Sequence, residues 1–355
     1  MKIGILTQPL GHNYGGMLQN WALQQVLIQL GHQPITIDAY RYFPLYRYYI
    51  RKVIVAWHRL MGNNSLSYPP KPYKSKRCSP ITSAFVENHI ITTRPVYSPT
   101  LRLIDHYDIE ALIVGSDQVW RPQYNQKSLE NMFLDFALNR DCIKIAYAAS
   151  FGNSQWEFSE EQTDKCKFLI KQFNSISVRE ESAVHLCKTK LNADAIQVLD
   201  PTLLLDKRYY EALCEDIPIN NQKSLFVYCL DLSDDKINYF QSVADENNLI
   251  LKLFSADKDV QLTVEQWLAM FRDSQAVITD SFHGTIFSII FKKPFNTIVN
   301  EHRGASRFES LLSQLGLEHR MNTKDIFQQE NWDKVVDLLV KLQNDSLTFL
   351  REALR

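Results

Sequence analysis

The chain has 355 residues, 39 Lys and Arg against 40 Asp and Glu, and 45% apolar residues. That length predicts two domains rather than one extended core, and the balanced charge gives no global drive toward nucleic acid. The six cysteines (78, 142, 166, 187, 214 and 229) form no CxxC pair and show no Cys/His ligand spacing. A disulfide frame and a zinc site are thereby disfavoured, and reduced thiols in the cytosol are expected.

The opening run, MKIGILTQPLGHNYGG, has too short an apolar stretch for a signal-peptide core. No run reaches the roughly 18 apolar residues of a spanning helix. The expectation is a cytosolic protein, with contact at the inner face of the membrane left open.

Short β-rich runs alternate with helical patterns. KIGIL (2–6), PITID (34–38), EALIVGS (110–116), IKIAYAA (143–149), SISVR (175–179) and AIQVL (195–199) read as strands. Helices are expected over 16–31, 157–173 and 180–190. After the polar EDIPINNQK (215–223) the pattern restarts with strands at 224–230, 249–254, 276–279 and 295–299, and with helices near 234–247, 263–272 and from 283. This alternation predicts an α/β fold of two Rossmann-like, doubly wound domains facing a cleft. The expected boundaries are 1–215 (acceptor side), 216–330 (donor side) and 331–355, a C-terminal helix packing back on the first domain. Ligands of such sheets bind beyond the carboxyl ends of the strands.

Residues 39–86 break the pattern: they hold nine Lys or Arg, many aromatics and no acid. Two readings stand. One is an irregular insertion with a solvated basic face. The other is a surface for anionic lipid headgroups or a polyprenyl-diphosphate-linked acceptor. The PPKP run makes the second half extended or mobile.

Four strand ends carry candidate chemistry. GHNYGG (11–16) fits a tight turn or a close approach to a ligand; its spacing is not GxGxxG, so a dinucleotide site gains little support. In VGSDQVWRP (114–122), Asp117 reads either as an N-cap or as a base for a hydroxyl, with Trp120 as a stacking face for a sugar. In SVREE (177–181), Arg179 reads either as paired with Glu180 or Glu181 at the surface or as a fork aimed at an anion. In TDSFHG (279–284), His283 and Gly284 stand at a helix start, where free N–H groups and the dipole favour an anion. Arg303 and Arg307 follow the next strand. Three arginines and one histidine could converge on one small, multiply charged anion.

HNYGGMLQNWALQ, IVGSDQVWRP, IAYAASFG, ISVREE, VLDPTLLL, ITDSFHGTIFSIIFKKPF and SRFESLLSQLGL occur in that order. Together they resemble the polysaccharide pyruvyl transferase family over about residues 1–320. The resemblance implies a GT-B-like fold. It also implies transfer of a pyruvyl group from phosphoenolpyruvate to two hydroxyls of a sugar in a surface-polysaccharide precursor, giving a ketal and phosphate. It further implies that His283, Arg179 and the Arg303/Arg307 region hold phosphoenolpyruvate.

On this reading His283, Gly284, Arg303, Arg307 and Arg179 bind phosphoenolpyruvate, and Asp117 is the base. Asn13, Tyr14, Gly15, Gln118 and Trp120 line the acceptor side. His283 and Asp280 both stand as donors of the proton to C3. No metal and no cofactor is expected beyond phosphoenolpyruvate as co-substrate. Expected partners are that donor and a sugar acceptor carried on a polyprenyl diphosphate, and no nucleic acid. The sequence carries no signal for an oligomeric state. Two rivals share these features: a GT-B glycosyltransferase using a nucleotide sugar, and a non-catalytic binder of anionic saccharides. The set of acid, histidine and arginines speaks against the second.

Overall fold

The computed structural model describes residues 1–11, 13–39, 45–62, 80–96, 98–125, 128–255, 262–299 and 304–355. The chain begins with β1 (Lys2–Leu6), α1 (Tyr14–Gln29) and β2 (Gln33–Thr36). Three helices follow, α2 (Leu45–Leu60), α3 (Pro80–His89) and α4 (Leu101–His106). Then come β3 (Ala111–Val114), β4 (Ile143–Ala149), α5 (Glu160–Ile170), β5 (Ser175–Val178), α6 (Glu181–Leu186) and β6 (Ile196–Gln197). These strands form one parallel sheet, ordered β2-β1-β3-β4-β5-β6.

Helix α7 (Lys207–Leu213) leads to the second sheet. Its elements are β7 (Ser224–Cys229), α8 (Asp234–Glu246), β8 (Ile250–Ser255), α9 (Val264–Asp273), β9 (Ala276–Thr279), α10 (Phe282–Ile290) and β10 (Phe295–Thr297). The order is β10-β9-β7-β8, again parallel. Helices α11 (Ser306–Leu315) and α12 (Trp332–Ala353) end the chain. Every residue of β3, β7 and β9 is buried, as strands covered on both faces must be. The fold is therefore α/β with two doubly wound parallel sheets, a GT-B-like arrangement.

Each sheet reverses its strand order once, between β1 and β3 and between β7 and β9. Loops leaving these strands flank the crevice where such sheets bind ligands.

One apolar cluster joins the two sheets through α1. It runs from Ile3 and Ile5 through Met17, Leu18 and Trp21 to Phe226, Trp267 and Phe287. Helix α1 is buried nearly all round, as a helix between two sheets should be. Helix α12 returns to the first sheet, where Ser346 Oγ accepts from the Leu199 N–H at 3.0 Å and Gln343 donates to the Leu203 carbonyl at 2.6 Å.

Three expectations change here. Trp120 is no sugar platform: its ring is fully buried, stacks on Phe133 at 5.0 Å, and donates its indole N–H to the Met132 carbonyl at 2.9 Å. Tyr14 is no acceptor contact. It stacks on Trp267 across the two domains, and its hydroxyl donates to the Leu262 carbonyl at 2.7 Å. The basic aromatic run is no irregular insertion, since its first half forms α2. The PPKP stretch lies outside the described residues.

Trp120→Ala should lower stability by about 3–5 kcal/mol, read by urea denaturation. Trp120→Phe keeps the aromatic stack and should retain turnover, which a sugar-stacking role of the indole would not allow.

Candidate active site

The strand β6 ends at Gln197, Val198 and Leu199 follow, and Asp200 then starts a short turn over Pro201–Leu204. Proline at the first position of the turn needs no N–H, and the Asp200 carboxylate caps it by accepting from the Thr202 N–H at 3.1 Å and hydroxyl at 2.7 Å. The other carboxylate oxygen accepts from Arg179 Nη1 at 2.8 Å and from the Ser116 hydroxyl at 3.1 Å. His283 Nε2 lies 3.7 Å from that same oxygen, beyond hydrogen-bond length. Burial alone would push the Asp200 pKa up, but His283 and Arg179 outweigh it and hold the carboxyl well below the usual range. Asp200 is thus a permanent buried anion.

Arg179 leaves the end of β5 and turns inward, not toward the surface pairing with Glu180 or Glu181. Its side chain is 2% exposed, and its Nη2 lies 3.8 Å from Asp117 Oδ1. Burial works against its charge, while Asp200, Asp117 and Glu180 raise its pKa overall. Neither Nε nor Nη2 has a hydrogen-bond partner among the described residues. The guanidinium sits over the Phe282 ring at 4.5 Å, and that of Arg307 over the same ring at 5.4 Å. Phe282 is therefore the plate against which two cations gather. Burial first, and Arg179 second, push the Arg307 pKa down to about 10, which leaves it charged at neutral pH. Arg303 lies outside the described residues.

The turn TDSFHG joins β9 to α10. Ser281 caps the helix, its Oγ accepting from the Gly284 N–H at 3.3 Å. The role expected of Gly284, close approach of an anion, changes: a Cβ there would collide with the Thr279 side chain, so the glycine lets the helix close on the strand end. Asp280 points away from the histidine. It accepts from the N–H groups of Leu230 (2.6 Å) and Asp231 (3.0 Å), with Lys236 Nζ at 3.3 Å, and so fixes the loop after β7. A carboxylate committed to those donors is no proton donor to a substrate.

His283 is buried, and its Nε2 has no hydrogen-bond partner among the described residues. Its ring rests on the first turn of α1. A Cβ at Gly15 would overlap the imidazole, so Gly15 makes room for His283. Gly304, at φ +92°, meets the Gly152 carbonyl in the same manner. Both glycines allow backbone from one domain to touch the other.

Asp117 stands at the end of β3 with φ +79°. One of its oxygens accepts from the Gln118 N–H at 2.8 Å, and the other has no protein partner among the described residues. The Gln118 side-chain oxygen accepts from Arg121 Nη1 at 3.1 Å. Asn13 is exposed at the start of α1.

The structure thus brings together Asp117, Arg179, His283 and Arg307, and adds two residues that the motif reading passed over. Asp200 is the hub. Glu180 is fully buried and accepts from Ser150 Oγ at 2.9 Å and the Phe151 N–H at 3.0 Å, bracing the loop after β4. Asp200 carried the same signal as Asp117, an acid just past an apolar strand.

Replacing Asp200 by Asn would leave the Arg179 charge buried without its partner. Chemical denaturation of Asp200→Asn should show a loss of about 3–5 kcal/mol; a loss below 1 kcal/mol would contradict the hub assignment.

A family model of polysaccharide pyruvyl transferases matches residues 13–302. No curated protein matches the chain by sequence. Among solved structures the chain is similar to UDP-GlcNAc 2-epimerase from Neisseria meningitidis bound to UDP-GlcNAc, with 10% identity, TM-score 0.49, and 99% of this chain and 94% of that one covered. It is similar to UDP-N-acetylglucosamine 2-epimerase from Rickettsia bellii, with 9% identity, TM-score 0.49, and 99% and 96% covered. A third is the S. aureus MnaA–UDP co-structure, with 13% identity, TM-score 0.49, and 96% and 87% covered. The match over residues 13–302 takes in the strand ends that carry Asp117, Arg179, Asp200 and His283, and the chain belongs to the polysaccharide pyruvyl transferase family.

Proposed function

We propose that this transferase moves a pyruvyl group from phosphoenolpyruvate onto two hydroxyls of a sugar, forming a pyruvate ketal and releasing phosphate. The acceptor we infer is a surface-polysaccharide precursor carried on a polyprenyl diphosphate. One observation supports the donor above all. Arg179 Nε and Nη2 and His283 Nε2 are buried and have no hydrogen-bond partner among the described residues, and they lie with Arg307 around one phenyl ring. Buried donors left unmatched call for a ligand. Two guanidinium groups and an imidazole suit an anion that carries a carboxylate and a phosphate on three carbons.

The chemistry follows from the enol. His283 gives a proton to C3, and C2 becomes electrophilic. A sugar hydroxyl adds to C2 as Asp117, through its uncommitted oxygen, removes the hydroxyl proton. The C2–O bond to phosphate breaks, with Arg179 and Arg307 taking up the charge of the leaving group. A second hydroxyl of the same sugar then adds to C2 and closes the ketal; its proton restores His283, and the proton held by Asp117 passes to the departing phosphate. Asp200 touches no reacting atom in this scheme; it holds Arg179 and faces the histidine. Asn13, exposed at the start of α1, is assigned to the acceptor side. The scheme requires no cofactor.

Incubation with phosphoenolpyruvate and lipid-linked oligosaccharides should release phosphate and add the mass of a pyruvyl ketal. Release of nucleoside diphosphate from a nucleotide sugar, with phosphoenolpyruvate untouched, would overturn the reading. His283→Ala and Arg179→Ala should each lower kcat/KM by about 10²–10⁴-fold, measured by phosphate release. Arg179→Lys should not restore the rate, because a point charge lacks the fork.

A further inference from the structure

Helix α2 (Leu45–Leu60) buries only a narrow seam among its described side chains. Tyr48 and Val55 are buried, seven residues apart and so on one line of the helix. The opposite face is apolar and faces solvent. Tyr49, Ile50, Val53, Ile54, Trp57, Leu60 and Met61 are all exposed, Val53 at 68%, Leu60 at 85% and Met61 at 69%. At 3.6 residues per turn they cover an arc of roughly 140°. Water is a costly solvent for so broad an apolar stripe, and such a stripe marks an interaction surface.

Charge decides what covers it. Arg51 and Lys52 are exposed and fall on opposite borders of the apolar arc, while Arg59 stands beside Lys52. The whole segment 39–86 contains no Asp or Glu. Two copies of this face brought together would bring cations against cations. An anionic lipid surface accepts both components: the stripe sinks into the acyl boundary, and the flanking arginine and lysine snorkel to the headgroups. Trp57 and the tyrosine ring add the amphipathic body that suits the interface. No helix among the described residues is long and apolar enough to cross a membrane, so this contact is peripheral.

We propose that α2 docks the enzyme on anionic membrane, with the stripe Tyr49–Met61 inserted in the plane of the headgroups. This holds whatever the donor substrate is, because the helix shares no residue with the site around Arg179 and His283. Docking would bring the protein to the surface where a lipid-borne acceptor resides.

The full chain should co-sediment with phosphatidylglycerol/phosphatidylcholine vesicles free of any sugar lipid, and far less with phosphatidylcholine alone. Binding should weaken with salt. Each of Arg51→Gln and Lys52→Gln should reduce binding about 5-fold, the equivalent of about 1 kcal/mol per cation at the surface. Val53→Asp with Trp57→Asp should abolish binding while leaving phosphate release with a soluble acceptor and the melting temperature unchanged. Equal binding to both vesicle types would overturn the proposal. So would a dimer in ultracentrifugation that Val53→Asp dissociates in a chain showing no vesicle binding.

Discussion

The ion pair between Asp200 and Arg179 is the constraint on which the site rests. Two charges buried to this degree incur a desolvation cost that their attraction offsets only with good geometry and added hydrogen bonds. The structure supplies both. Asp200 receives Thr202, Ser116 and Arg179, so its two oxygens are fully used. These donors come from three separate strand ends, after β3, β5 and β6. One carboxylate therefore ties three loops to each other and, through the facing His283, sets the second domain against the first.

The approach of the domains is a matter of missing side chains and shared aromatics. Gly15 accommodates the imidazole of His283, and Gly304 accommodates the Gly152 carbonyl. Tyr14, stacked on Trp267, anchors the start of α1 to the second sheet. These contacts place the positive helix start of α10, the imidazole and the guanidinium groups in one buried volume. There, opposite charges interact more strongly than in water. Burial first, and the neighbouring Arg179 second, lower the pKa of Arg307, while Glu180 and Asp117 work the other way. Phe282 supplies the common face for both cations.

The fold was legible because buried parallel strands write short apolar runs, and turns and helix starts punctuate them. IKIAYAA and AVIT became β4 and β9 with the bounds they suggest. The roles of single side chains were less legible. Trp120 sits three residues after Asp117 in a polar loop, a setting that reads as exposed; the loop instead folds its indole under Phe133. Asp280 adjoins the histidine in sequence, yet the direction of its carboxylate follows the N–H groups of Leu230 and Asp231, fifty positions away. Asp200 went unmarked because its partners Ser116, Arg179 and His283 are distant in the chain.

What the sequence by itself determined is the alternation of strand and helix, the acid, arginine and histidine placed at strand ends, and an acid-free run of cations and aromatics. Local propensity and periodicity are enough for these. Only the tertiary structure decided which polar groups meet. A strand end states that a residue enters the crevice, but not which of several acids faces the histidine or which glycine opens room for it. That choice depends on distances between segments far apart in the chain, and on burial, which turns one carboxylate into a hub and another into a loop anchor.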